Sequence, residues 1–278
     1  MGILLGAIAA LLFGTSDVFA AHSSRTDKPI AVSRTALLVA LIFTPLFLLL
    51  KPFTLAPLDV LYSVLSGVAI GTGLLAVYIG YSRAPIGVVA PIASVISAAV
   101  PVAVLFARGG GLSLVAGIGV VVGLIAVGVS TYEPGGRDQG SMRTALFFGV
   151  IAGTGFGFAF ALLALTNDHA GLATVPIQRL SGLLFLTVVH PLVRAPWMAR
   201  DHRGRWLAIA CGLAAGLAMG SLQLGYRYGS SGPVSVAASQ FAAFTVLISA
   251  MVNHDRLRWW QGLGLGLASV GVALMALG

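Results

Sequence analysis

Charge is scarce in this chain. Of 278 residues only 9% are charged, against 58% hydrophobic, and the mean hydropathy is +0.99. Soluble domains carry about 25% charged residues, so too little polar surface is available to cover a water-facing globule, and the bilayer is the expected solvent. Cysteine is all but absent. The one residue, Cys211, excludes an intramolecular disulfide and a multi-cysteine metal site, and its apolar surroundings in the sequence mark it as a packing residue. Enzyme signatures are missing too: there is no HExxH, no Asp-rich cluster, no P-loop and no Gly-x-Gly-x-x-Gly at a strand–helix junction. Gly14-Thr15-Ser16 lacks the second glycine of a nucleophile elbow. The chain is therefore expected not to be an enzyme and to hold no metal or cofactor, and the lack of a nucleotide motif argues against primary active transport. The formal charge is +8, yet the basic residues sit in short gaps between apolar runs rather than as a stripe interleaved with aromatics. Nucleic acid is not an expected partner.

What is present is a series of apolar runs. A spanning helix needs about 20 residues, and ten runs of that order cover approximately 2–21, 30–50, 58–81, 85–107, 112–131, 142–165, 171–193, 205–227, 232–253 and 258–277. The first run has an A-x-A-like end at Val18-Phe19-Ala20. It lacks a basic start and contains Asp17, so it is expected to be a retained helix rather than a signal peptide.

The chain also repeats itself. Residues 80–131 slide onto 225–276 at an offset of 145 without a gap, with 11 of 52 positions identical, among them Gly80-Tyr81 on Gly225-Tyr226 and Ala93-Ser94 on Ala238-Ser239. In the first helix Gly6, Ile8, Ala9, Phe13 and Gly14 match Gly149, Ile151, Ala152, Phe156 and Gly157 at an offset of 143. The expected organisation is an all-α integral membrane protein of ten transmembrane helices. Residues 1–131 form a first five-helix repeat, 132–141 a linker and 142–278 a second five-helix repeat. An odd number of helices per half makes the two repeats inverted, an architecture that recurs in transporters with a site near midplane.

Loops 1–2, 3–4, 5–6, 7–8 and 9–10 carry eleven basic residues: Arg25, Lys28, Arg83, Arg137, Arg143, Arg194, Arg200, Arg203, Arg205, Arg256 and Arg258. The opposite loops carry three, Lys51, Arg108 and Arg227. The positive-inside rule places the first set in the cytoplasm, in a multi-pass protein of the cell's inner (plasma) membrane with both termini outside. Trp206, Trp259 and Trp260 stand at helix starts as interface anchors.

Glycines four apart recur, at 149, 153 and 157, at 212, 216 and 220, at 67 and 71, and at 119 and 123. Small residues so spaced let helices approach closely, either within one subunit or across a homodimer, so monomer and homodimer both stand. The fourth helix carries Pro85, Pro91 and Pro101 with Ser94 and Ser97 between them, and is expected to be broken, for packing or to expose polar groups to a substrate. Its counterpart carries Pro233, Ser235, Ser239 and Gln240.

Ionisable residues inside spans are costly and are functional candidates. Asp17 near the end of the first helix and Arg34 near the start of the second face the same side and are expected to be able to meet. They form either a structural pair or a coupling pair in which proton uptake by Asp17 frees Arg34. Arg34 maps onto Arg179 at offset 145, whereas Asp17 maps onto Phe160, so only one half carries an acid. Gln178 and Arg179, Tyr78 and its counterpart Gln223, and Ser94, Ser97, Ser239 and Gln240 are the candidate substrate-binding residues. Tyr78 and Gln223 could equally be buried residues satisfied by a neighbouring helix. His190, beside Pro191, is placed at the interface.

These features together resemble the drug/metabolite transporter superfamily, in its EamA-like ten-helix branch. The resemblance rests on Gly6 and Phe13-Gly14, on Arg34 and Arg179, on the run Tyr81-Ser-Arg-Ala-Pro-Ile-Gly-Val-Val-Ala-Pro91, and on the repeated Leu-x4-Gly-x-Gly at Leu112 and Leu257. Members often hold an acidic-basic pair between the fourth and fifth helices of each half. Asp255-Arg256 keeps it, while Arg108-Gly-Gly-Gly111 has lost the acid. Members are usually described with cytoplasmic termini, the reverse of the charge count. The resemblance implies a secondary transporter, often an exporter of amino acids or similar metabolites. Helices 1, 3, 4, 6, 8 and 9 would line a central cavity, and helices 5 and 10 would lie at the periphery. The expected function is transport of a small polar or amphipathic metabolite by alternating access, with proton coupling as one form of it. A non-transporting sensor or assembly protein on the same scaffold is the alternative.

Overall fold

The computed structural model describes residues 1–50, 52–107, 114–131, 139–193, 195–229, 234, 237–253 and 259–277. Among them there is no strand, and ten α-helices of at least 13 residues follow one another: α1 Gly2–Thr26, α2 Pro29–Phe43, α3 Pro57–Arg83, α4 Ile86–Ala107, α5 Leu114–Thr131, α6 Gln139–Ala164, α7 Thr174–Val189, α8 His202–Tyr228, α9 Phe241–Asn253 and α10 Trp259–Leu277. Lys51, Arg108, Arg137, Arg194, Pro233, Ser235, Asp255, Arg256, Arg258 and linker residues 132–138 lie outside the described residues.

Local chemistry sets the helix ends. Pro29 and Pro57 occupy the first turns of α2 and α3, where a missing N–H is not needed. Asp59 reinforces the start of α3 by accepting the Ala56 N–H at 2.9 Å, and Asp201 caps α8 by accepting the Gly204 N–H at 2.7 Å. At the ends of α2 and α7, Pro45 and Pro191 fall in tighter 3-10 turns, Thr44–Leu49 and His190–Leu192.

Among the described residues six helices are long and apolar enough to cross a membrane: Gly2–Thr26, Pro29–Leu49, Pro57–Arg83, Met142–Ala164, Thr174–Leu192 and His202–Tyr228. Shorter apolar helical stretches cover Ile86–Val100, Ala237–Val252 and Gly262–Gly271. Large apolar side chains such as Ile42, Leu61, Leu65, Leu184 and Leu217 are exposed on the spanning helices, as a hydrocarbon solvent requires. The fold is that of a multi-pass helical membrane protein.

The expected break in the fourth helix is not where the prolines are. α4 runs unbroken through Pro91, with the backbone hydrogen bond that the proline removes left unmade inside the helix. The interruption lies at Gln240, a turn between the helical residues 237–239 and α9.

The helices pair in a fixed pattern. α1 packs along α8 and α3 along α6; α6 also lies against α4, α1 against α9, α3 against α7, α2 against α8, and α5 against α10. Glycine makes these approaches close. A Cβ on Gly153 would stand 2.6 Å from the Ile96 Cβ of α4, and one on Gly212 would stand 2.9 Å from the Ala36 Cα of α2. Gly149 and Gly157 meet α4 in the same way, and Gly216 and Gly220 meet Phe43 and Phe47. These glycine rows therefore serve contacts within one subunit.

The closest of these approaches to another helix's backbone sits beside Arg179. A Cβ on Gly67 would collide with the Gln178 carbonyl, stand 2.5 Å from the Ser181 Cβ and 2.9 Å from the Gly182 nitrogen. Those are mostly backbone atoms, so α7 itself would have to move. Gly67→Val is expected to cost about 1–3 kcal/mol. Gly266→Ala, at an exposed helical glycine with open space around it, is expected to be neutral or to gain up to about 1 kcal/mol. Thermal unfolding in detergent checks both, and equal melting temperatures for the two variants would contradict this packing.

Candidate functional site

Between α1, α3, α6, α7, α8 and α9 lies a cavity lined by Phe13, Ser16, Asp17, Ile70, Leu74, Phe156, Phe160, Arg179, Ala215 and Phe241, with about 390 Å³ of unfilled space counting its mouth. Its wall is aromatic. Phe13 lies 5.9 Å from Phe160 and 6.4 Å from Phe241, and Phe156 contacts both Phe160 and Phe241 at 6.4 Å between centroids. Two ionisable groups interrupt this wall, Asp17 from α1 and Arg179 from α7.

Asp17 is buried. Its Oδ2 accepts from the Tyr81 hydroxyl at 2.9 Å and lies 3.2 Å from the Thr245 hydroxyl. Thr245 also donates to the Phe241 carbonyl at 2.9 Å, and a hydroxyl has only one proton to give. The two contacts therefore suit two protonation states. A charged Asp17 accepts the Thr245 hydrogen bond, and a protonated Asp17 donates to Thr245 while Thr245 donates to the Phe241 carbonyl. Helix packing sets this geometry, because Gly14, one turn before Asp17, would place a Cβ 2.8 Å from the Thr245 nitrogen.

Arg179 is 1% exposed. Its Nη2 donates to the Ala215 carbonyl at 3.1 Å, and its Nε has no partner. No ion pair joins it to Asp17 among the described residues. Asp168, its nearest acid in sequence, is engaged elsewhere, accepting from Arg227 at 2.8 Å. A lone guanidinium with free donor capacity is thus held at the cavity wall.

Beside Asp17 runs a second polar chain. The Tyr78 hydroxyl and the Ser16 hydroxyl each lie 3.2 Å from the Cys211 sulfur, and Tyr78 stacks on Tyr81 with centroids 6.5 Å apart. Cys211 is therefore more than packing: it bridges α1, α3 and α8 behind the cavity.

The other sequence candidates have different surroundings. Gln178 donates to Ser66 at 2.7 Å, and Ser66 donates to the Ala159 carbonyl at 2.7 Å, tying α7 to α3 and α6. Ser94 donates to the Ser239 carbonyl and Ser97 to the Ser94 carbonyl, both at 2.8 Å, where α4 meets the residues leading into α9. Gln223 donates to Thr166 at 3.3 Å, next to the Arg227–Asp168 pair, and Gln240 reaches the Ser269 carbonyl at 3.5 Å. None of these six is among the cavity-lining residues. Arg34 does not meet Asp17. Its guanidinium lies over the Trp197 ring, 3.1 Å from the centroid, and makes no hydrogen bond. Asp17 lies a little over two turns before the end of α1, whereas Arg34 lies in the second turn of α2, and the two helices are in little contact with each other.

Tyr81, Thr245 and the phenylalanines are the site residues that the ionisable-residue argument passed over. Phe13, Phe156 and Tyr81 carried a signal in the repeat. Thr245 falls opposite Val100 at the 145 offset, so the repeat gives no sign of it.

Comparison with known proteins bears on the fold alone. No family model matches the chain, and no curated protein does. A crystal structure whose description names no function superposes on 99% of this chain and 96% of its own, at a TM-score of 0.69 and 15% sequence identity. The chain shares that protein's fold.

Proposed function

We propose that the chain is a secondary transporter that moves a small amphipathic, amino-acid-like metabolite by alternating access around the aromatic cavity. The observation that carries this reading is the pairing of repeat-related residues across one cavity. Phe13 and Phe156, Asp17 and Phe160, and Ile70 and Ala215 are counterparts at offsets of 143 or 145, and all six line it. Ser94 donates its hydrogen bond to the carbonyl of its own counterpart, Ser239. Residues related by a two-fold axis touch each other only near that axis. The helix pairs exchange accordingly: α1 with α8 answers α6 with α3, and α4 with α6 answers α9 with α1. We therefore read ten spans in two inverted five-helix repeats, with the cavity on their axis.

Within that frame the residues divide the work. The phenylalanines take the apolar part of the solute, and Arg179 takes its carboxylate. Asp17 either meets its amine or carries a proton. Membership of the drug/metabolite transporter superfamily, export as the direction, and cytoplasmic placement of the Arg-rich loops belong to the same proposal.

Two assays test it. Thermal unfolding of the purified protein is followed with amino acids, organic acids, quaternary amines and sugars at two pH values, because a ligand that binds the folded state raises the melting temperature. Flux of the hits is then followed in proteoliposomes. A stabilising amino acid that crosses the membrane is the expected result. A stabilising ligand that binds without flux would instead support a sensor.

A further inference from the structure

Away from the cavity the chain holds a second buried cation. Arg34 has no exposed surface, and its Nε, Nη1 and Nη2 all lack a hydrogen-bond partner. One face of the guanidinium is covered by Trp197 at 3.1 Å. Trp197 is 51% exposed and has the His190 ring edge-on at 5.2 Å. The His190 Nδ1 is likewise buried without a partner. The covering segment is pinned in place: the Ala199 N–H donates to Thr35 at 3.1 Å, and the Arg200 N–H donates to Asp27 at 2.9 Å.

A cation–π contact with a half-exposed indole offsets only part of the cost of burying a guanidinium without an acceptor. The indole therefore accounts for the cation's position but not for its five N–H donors. Asp27, at the end of α1, spends its Oδ1 on the backbone N–H groups of Arg200 and Asp201, and its Oδ2 is buried without a partner. Exposed Arg25, Lys28, Arg200, Arg203 and Arg205 surround this end of the bundle, against Asp27 and Asp201. The local field favours an anion.

We propose that Arg34, His190 and Trp197 form a binding site for a phosphate-type oxyanion, separate from the cavity. The guanidinium supplies a fork of two donors, Trp197 is the cover, and His190, edge-on to the same indole, brings a further unpartnered nitrogen to the site. A tetrahedral oxyanion can put two oxygens on the fork and keep others for the exposed basic residues of this end, whereas a carboxylate spends both of its oxygens on the fork. The same chemistry is offered by an anionic lipid headgroup and by free phosphate.

Full-length protein in neutral detergent is titrated with phosphatidylglycerol, with inorganic phosphate, or with diacylglycerol as a phosphate-free control. Melting temperature and tryptophan emission are both followed. A rise of about 2–4 °C with a phosphate-bearing probe, and none with diacylglycerol, is expected. A response to phosphatidylglycerol alone identifies the headgroup as the source, and a response to both probes identifies the free oxyanion. Arg34→Gln is expected to lose the rise, and Trp197→Phe to keep the rise but lose the emission change. The proposal is overturned if neither probe stabilises the wild type, or if Arg34→Gln responds as the wild type does. Should Arg34→Gln not fold, an identical emission change in Trp197→Phe overturns it.

Discussion

Arg179→Met is expected to lower solute flux by about 10²–10³-fold while leaving the melting temperature unchanged or higher. The first half follows from what the guanidinium has left to give. It spends one donor on the Ala215 carbonyl and keeps an unpartnered Nε at the wall of the cavity. Removing one partner of a desolvated charge pair costs about 2–5 kcal/mol, which sets the fold-change. The second half follows from the missing counter-charge. A buried cation without an ion pair is a burden on the fold, and an apolar side chain of similar length relieves it. Flux into proteoliposomes and thermal unfolding of the same preparation test the two halves together. A folded Arg179→Met protein with wild-type flux would remove Arg179 from the site. Arg34→Ala is expected to impair flux less, because Arg34 lies outside the cavity lining.

Asp17→Asn is expected to abolish accumulation driven by a proton gradient while leaving exchange of solute across the membrane. The amide can still accept from Tyr81 and face Thr245, so the local fold has little reason to change. What it cannot do is gain and lose a proton. The wild-type arrangement has a hydrogen-bond pattern ready for each state, because the single Thr245 proton can turn toward Asp17 or toward the Phe241 carbonyl. An imposed pH gradient across proteoliposomes is the measurement. The variant's internal solute is expected to level off at the external concentration. Continued accumulation by Asp17→Asn would move coupling to another group or remove it.

The sequence carried the helices well and the side-chain partners poorly. Apolar runs and first-turn prolines located most of the helices to within a few residues, although the second run continues past α2 into the 3-10 turn Thr44–Leu49. The ninth begins later than its run, because Gln240 interrupts it. Pro91 did not break α4, because a single interior proline costs one backbone hydrogen bond and neighbouring helices hold the rest of α4 in place. Arg34 and Arg179 look equivalent at an offset of 145, yet only Arg179 lines the cavity. Its cover decides the fate of Arg34, and Trp197 falls opposite Pro52 at the same offset, so the repeat offers no second indole. Asp17 was legible as costly, but its partners were not. Tyr81 and Thr245 reach it from helices 64 and 228 positions away in sequence. Thr245 arrives there only because Gly14 lets the two backbones close.

One further property follows from the pair at the cavity wall. A carboxylate and a guanidinium sum to zero, so a reorienting empty carrier would drag no net charge through the membrane field. Moving one charge through 100 mV is worth about 2.3 kcal/mol, and a neutral pair escapes that term. Voltage would then act only on steps in which a proton or a charged solute is aboard. The return of the empty carrier would run at the same rate in polarised and depolarised membranes.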